Sequence, residues 1–165
     1  MSDVKDLKIN AEQALWDQLA DARDVLLGAE GGGSHLQPMA PQADPLRKTV
    51  WFYTSKKTDL AVAALNSPVA KLCLVSKDRD FHASVDGVLS VEHDPSIIEQ
   101  FWSPVVAAWY PSGQDDPDLT LLAFKPTGAG LWASTDSAVK FGWEIAKANV
   151  TGHLPDLGFH TTIEW

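Results

Sequence analysis

Residues 81–92 constrain this chain most. Phe81, Ala83, Val85, Gly87, Leu89 and Val91 occupy alternate positions, and His82, Ser84, Asp86, Ser90 and Glu92 fall between them. A period of two over so long a run is a β-strand with one buried face. Its polar face suits an antiparallel sheet that meets solvent on one side. Helices must therefore attach to a sheet, and the sheet defines the fold.

The remaining elements agree. Asn10 caps a helix over about 10–23, with Gln13 three residues on and Leu15, Leu19 and Ala22 along one face. Val25-Leu26-Leu27 opens a strand, and Gly31-Gly32-Gly33-Ser34 is a flexible turn. His35 to Pro41 returns as an extended segment. Pro38 and Pro41 donate no N–H, which puts that segment at an edge, at a bulge, or beside something other than a strand. Val50 to Thr54 and Val69 to Val75 read as strands, and Asp59 to Leu65 as a short helix. Asp94-Pro95 starts another helix, broken at Ser103-Pro104, with a further helical turn over Val105 to Tyr110. Leu119 to Phe124 and Leu131 to Ser134 read as two strands joined by a Pro-Thr-Gly-Ala-Gly turn. A helix over Val139 to Ala148 and a strand over Phe159 to Trp165 close the chain, so the C-terminal helix and strand span about 137–165. About seven short strands with a few helices favour a mainly β, largely antiparallel barrel or sandwich. No βαβ rhythm runs through the chain.

Composition narrows the class. The chain has 165 residues, the length of one domain over 1–165, and 45% are hydrophobic, too many for a disordered chain. Its one cysteine, Cys73, cannot form an internal disulfide; it sits among Leu72, Leu74 and Val75 and reads as a buried thiol. The longest apolar run, Val105 to Tyr110, is far short of a membrane span, and the charged N-terminus is no signal peptide, so a cytoplasmic location is expected. A net charge of −9 argues against nucleic-acid binding.

Standard catalytic motifs are missing. The sequence has no GxGxxG and no phosphate-binding P-loop, and its five histidines show no metal spacing. Asp115-Asp116 before Pro117 reads as a turn rather than an acid–base pair. Arg47, Lys48, Lys56 and Lys57 flank the strand at 50–54, with Thr54, Ser55 and Thr58 beside them. Hydroxyls, lysines and a helix start could hold an anion, while a solvated turn explains the same residues slightly better. Of the seven tryptophans most belong to the core; Trp109, beside a polar loop, is the one placed to meet a planar ligand, a sugar or a partner chain.

Taken in order, several segments resemble the general stress protein branch of the pyridoxamine 5′-phosphate oxidase-like, FMN-binding split-barrel family. They are Gln37-Pro38-Met39-Ala40, Trp51-Phe52-Tyr53-Thr54-Ser55, the Gly87 strand, Phe101-Trp102-Ser103-Pro104, Ala108-Trp109-Tyr110-Pro111 and Gly113-Gln114-Asp115-Asp116-Pro117. The tail segments Ala146 to Gly152 and Pro155-Asp156-Leu157-Gly158 fit one subgroup. The resemblance runs from Trp16 onward.

It implies a six-stranded antiparallel split β-barrel with flanking helices, a homodimer, and a flavin in each of two interface clefts. FMN is the cofactor expected, with FAD or a deazaflavin as alternatives. Pro38 and Met39 would border the flavin ring, and Gln37 would stand beside them at the position of the family's phosphate-binding arginine. Tyr53, Thr54, Ser55, Lys56 and Thr58 would approach the ribityl chain and phosphate. Trp109 would come from the other subunit or close the cleft.

Two positions depart from the family pattern. Gln37 stands where arginine is usual, and Leu60 where many relatives carry lysine. Each lost charge-assisted bond is worth ~1.5–3 kcal/mol, which Lys56 or Lys57 would have to replace. Only Lys125, Lys140 and Lys147 supply positive charge after Phe101, which argues against pyridoxamine 5′-phosphate oxidase activity itself. The expectation is a flavin-binding stress protein, enzymatic only through flavin redox chemistry, with no residue marked as a catalytic acid or base. The alternative is a non-enzymatic dimer of the same fold with weak or lost flavin binding, serving as a sensor, a store or a partner-binding protein.

Overall fold

The computed structural model describes residues 3–134 and 138–165. Eight strands form one antiparallel sheet: β1 (Val25–Ala29), β2 (Gln37–Met39), β3 (Gln42–Asp44), β4 (Thr49–Ser55), β5 (Val69–Val75), β6 (Phe81–Glu92), β7 (Leu119–Ser134) and β8 (Gly158–Glu164). The main path runs β2-β1-β5-β6-β7-β4-β3, and β8 adds to β7. The two ends of that path, β2 and β3, are consecutive in the chain with only Ala40 and Pro41 between them. A sheet whose first and last strands are joined by two residues must curl on itself, which gives the split, half-closed barrel. The sheet has eight strands against the six the resemblance implies: β3 is a three-residue strand not foreseen in the sequence, and β8, foreseen over 159–165, joins the same sheet through β7.

Among the described residues there are six α-helices: α1 (Asp3–Ile9), α2 (Ala11–Asp21), α3 (Asp59–Ala64), α4 (Pro95–Gln100), α5 (Pro104–Ala107) and α6 (Ala138–Thr151). Asn10 caps α2 as its spacing predicts, its Oδ1 accepting from the Gln13 amide at 3.0 Å. Helix α1 was not expected; its signal is the spacing of Val4 and Leu7, and Leu7 is buried. The start of the expected C-terminal element, residue 137, lies outside the described residues.

The period-two reading of 81–92 holds: Phe81, Ala83, Val85 and Leu89 are buried. With Leu27, Phe52, Leu72, Phe124 and Leu131 they fill the barrel, and α2 and α3 add Leu15, Trp16, Leu19 and Leu60. Two sequence expectations need correction. Residues 119–134 are one continuous strand, not two joined by a turn. Pro126 is accommodated because the register between β6 and β7 shifts there: Gly87 faces Pro126, whereas Asp86 faces Gly128. The extra residue, Thr127, turns its carbonyl to the Trp165 amide at 3.2 Å, which ties down the C-terminus. Cys73 is half-buried rather than buried, because Leu72 and Leu74 on either side of it take the core face of β5.

Asp44 fastens the closing end of the barrel. It is 4% exposed. Its Oδ2 accepts from the Arg47 guanidinium at 2.8 Å and from Trp51 Nε1–H at 3.2 Å. Burial pushes its carboxyl up, but the Arg47 guanidinium, the Trp51 donor and the Arg47 amide together hold it below the ordinary carboxylate range. Trp165 Nε1–H draws the Glu12 carboxyl down in the same direction, with Lys48 assisting. A depressed folded value stabilises above the unfolded one, and that stabilisation is lost as pH falls through the folded value. Asp44→Ala leaves Trp51 and Arg47 without an acceptor, with an expected cost of about 2–3 kcal/mol at neutral pH in urea unfolding. The difference between the variant and the natural chain should be full above the unfolded carboxylate value of about 4 and shrink as pH falls below it toward the lower folded value of Asp44; a gap that stays constant well below that pH would contradict this role.

Candidate functional site

Alternation along β4 divides its side chains between two environments. Val50 and Phe52 enter the barrel core. Trp51 and Tyr53 turn to the other face, where Trp51 joins Ile97, Leu121 and Ala123 in a second apolar cluster, with Tyr53, Ile98 and Phe101 packed against it. Helix α4 is thereby fixed over the outside of the sheet. Tyr53 Oη donates to the Ile98 carbonyl at 2.5 Å, and its ring meets Trp102 edge-on at 5.8 Å. Trp102 in turn lies 6.3 Å from the Tyr110 ring.

That aromatic support holds α5 opposite the edge of the sheet and leaves a cleft of about 620 Å³ between them. Pro38, Met39 and Ala40 line one wall, Tyr53, Thr54, Ser55 and Thr58 the floor, and Val105, Val106, Trp109 and Tyr110 the other wall; Gln42 and Ser103 complete it. The volume suits a small organic ligand, as does a mainly apolar lining with a few polar groups. Strand β2 ends the sheet path and pairs only with β1, so its outer edge keeps unpaired backbone groups, and Pro38 and Met39 of that strand line the cleft. Pro38 belongs at that edge, where a missing N–H disturbs no ladder, and Pro41 falls in the two-residue link to β3.

Polar groups on the floor are partly committed. Thr58 Oγ1 accepts from the Ala61 amide at 3.3 Å as the cap of α3 and donates to the Ser55 carbonyl at 3.0 Å. Ser55 Oγ accepts from the Lys57 amide at 3.2 Å, which leaves its own proton to donate. Burial pushes the Tyr53 phenol up to about 12; burial, and secondarily Asp116, push Tyr110 up as well. Both remain neutral across the physiological range.

Of the nine residues expected at a site, the fold gathers Pro38, Met39, Tyr53, Thr54, Ser55, Thr58 and Trp109 on this cleft. Gln37 and Lys56 are not among its lining. Gln37 Nε2 donates to the Gly32 carbonyl at 3.3 Å, back toward the glycine turn. Lys56 lines a neighbouring cavity with His93, Asp115 and Asp116. Lys57 pairs with Asp118 at 2.8 Å. Leu60 is 1% exposed and packed in the barrel core. Among the described lining residues there is therefore no lysine or arginine. Trp109 is 79% exposed and lies at the cleft of its own chain. Val105, Val106 and Tyr110 line the cleft without having been expected there; their signal in the sequence is an apolar run bracketed by Pro104 and Pro111. Asp115 and Asp116 form the expected turn, with Asp116 Oδ1 accepting from the Asp118 amide at 3.0 Å. Among the described residues no helix is long and apolar enough to cross a membrane.

Residues 10–156 match the family described as pyridoxamine 5′-phosphate oxidase like. The chain belongs to that family. A structure from Jannaschia sp. CCS1, provisionally described as general stress protein 26, is 34% identical with a TM-score of 0.80, over 96% of this chain and 99% of that one. The general stress FMN/FAD binding protein of Xanthomonas citri is 33% identical with a TM-score of 0.72, over 79% of this chain and 92% of that one. No curated protein matches the chain. Within the family, the curled antiparallel sheet with flanking helices is the split-barrel fold, and the eight-strand sheet here is a version of it.

Proposed function

We propose that this chain is a flavin-binding member of the general stress branch, holding FMN in the cleft between β2, β4 and α5 and working as a cytoplasmic homodimer. One observation carries the reading: a mainly apolar cleft of ligand size is lined together by the edge strand β2, the aromatic rings of Tyr53, Trp109 and Tyr110, and the hydroxyls of Thr54, Ser55 and Thr58. A relative 33% identical to it is named as an FMN/FAD binding protein. In this reading Pro38, Met39, Val106 and Trp109 enclose the ring system, and the backbone of β2 offers hydrogen bonds to its polar edge. Thr54 and Ser55 face the ribityl chain. Trp109 and Val105, exposed at the mouth, are where a second copy would complete the enclosure.

Bound flavin would supply hydride or electron transfer; the chain's own residues bind it, orient it and exclude water. The two tyrosines stay protonated, so flavin affinity is expected to be flat across neutral pH.

An absorption spectrum of the purified protein and a titration with FMN test the reading. Saturable binding with a perturbed flavin spectrum is expected. Trp109→Ala should weaken it by the worth of one aromatic contact, roughly 0.5–1.5 kcal/mol or two- to twelvefold. A protein that leaves the flavin spectrum unchanged at saturating FMN would move the cleft to another planar ligand.

A further inference from the structure

The barrel gives no reason for α6. Ser134 at the end of β7 and Gly158 at the start of β8 are paired in register, so the chain leaves the sheet and returns to the same point. A tight hairpin would connect them. Instead the excursion contains a helix of 14 residues, about 21 Å long. From Lys140 to Thr151 none of its side chains is buried.

Its surface is nonetheless mostly apolar. Phe141 and Ile145, one turn apart, are 53% and 37% exposed. Trp143 and Val150, two turns apart on another side, are 68% and 87% exposed, and Leu154 just beyond the helix is 94% exposed. Between them runs a polar stripe satisfied within the segment. Glu144 pairs with Lys147 at 3.7 Å and accepts from the Asp156 amide, and Thr151 Oγ1 donates to the Lys147 carbonyl. An isolated helix of this length is marginal in water and is normally stabilised by packing. A helix apolar on two sides needs a covering surface.

Area and charge point to the same occupant. The chain exposes 9822 Å². A compact monomer of 17.9 kDa would expose about 8,000 Å², which leaves an excess of about 1,800 Å². That matches what one partner buries in an obligate homodimer, roughly 1,000–2,500 Å². The chain as a whole is strongly acidic, at −9, yet α6 carries two lysines against one glutamate. It is suited to lie on the acidic body of an identical chain.

We propose that α6 is a dimerisation arm that seats on the body of a second copy, with the exchange made reciprocally about a two-fold axis. This rests on the homodimer part of the functional reading and adds the element that makes the contact.

The test is sedimentation velocity at micromolar concentration on three proteins: the natural chain, the variant Phe141→Glu/Trp143→Glu/Ile145→Glu, and a chain in which a short glycine turn joins Ser134 to Gly158. Circular dichroism checks the barrel in each, and FMN titration is run separately. The natural chain should sediment at twice 17.9 kDa and the folded variants as monomers. If the triple variant does not fold, the turn variant decides. Folded variants that remain dimeric would overturn the arm and leave the homodimer standing. A natural chain that stays monomeric would overturn both, whatever the flavin titration shows. Dimers that persist in the glycine-turn chain but not in the charged variant would also overturn it, since charge rather than lost contact would then be responsible.

Discussion

Replacing Gly87 with alanine, a change of one methyl group, is expected to destabilise the barrel by about 3 kcal/mol, at the upper end for overpacked sites. A Cβ at Gly87 would lie 2.5 Å from the Lys125 carbonyl oxygen and 2.6 Å from Phe124 Cζ. Neither neighbour can give way. The first is backbone of the paired strand at the register shift, and the second is a ring with no exposed surface in the centre of the core. Gly87 does not have a positive φ, so the cost is steric rather than conformational. For a chain of this size the loss corresponds to a fall in Tm of roughly 6–12 °C. Gly128→Ala on β7 is the control, because its nearest contact would be an ordinary 3.5 Å to the Ile163 carbonyl. Equal melting temperatures for the two variants would refute the packing account.

How much of this was legible in the sequence depended on whether the signal was local. The alternation at 81–92, the Asn10 cap and the edge placement of Pro38 each follow from a few neighbouring residues, and each is found in the structure. The 119–134 strand was misread because a proline and two glycines look like a turn locally. Only the long-range pairing with β6 shows that a one-residue shift absorbs them. The same limit applies at the site. Pro38, Met39 and Tyr53 to Thr58 could be named from a resemblance, but whether a side chain faces the cleft depends on strand direction. Gln37 turns back to the Gly32 carbonyl, and Lys56, just past the end of β4, lines the neighbouring cavity, although both are adjacent in sequence to lining residues. Leu60 shows the converse: it looks like a lost phosphate ligand, and it is a core residue holding α3 to the barrel.

Those placements carry the second prediction. With no lysine or arginine among the described lining residues, the natural chain should bind riboflavin and FMN with nearly equal affinity, and added salt should change FMN binding little. Gln37→Arg should change that. Position 37 directly precedes Pro38 on the cleft wall, and an arginine there exchanges a bond to the Gly32 carbonyl for a bidentate donor able to reach a phosphate. The expected gain for FMN is about 1.5–3 kcal/mol, tenfold or more, with riboflavin unchanged. The salt dependence should appear together with the gain. Asp59 competes for the new guanidinium, because its carboxylate and Gln37 Nε2 both border Gly33. Gln37→Arg combined with Asp59→Asn should therefore bind FMN at least as tightly as the single variant. If both variants bind the two flavins equally, no phosphate lies near β2 and the assigned orientation of the ligand is wrong. If FMN alone gains, the cleft retains the shape of a flavin site and lacks only the charge that would fasten its phosphate.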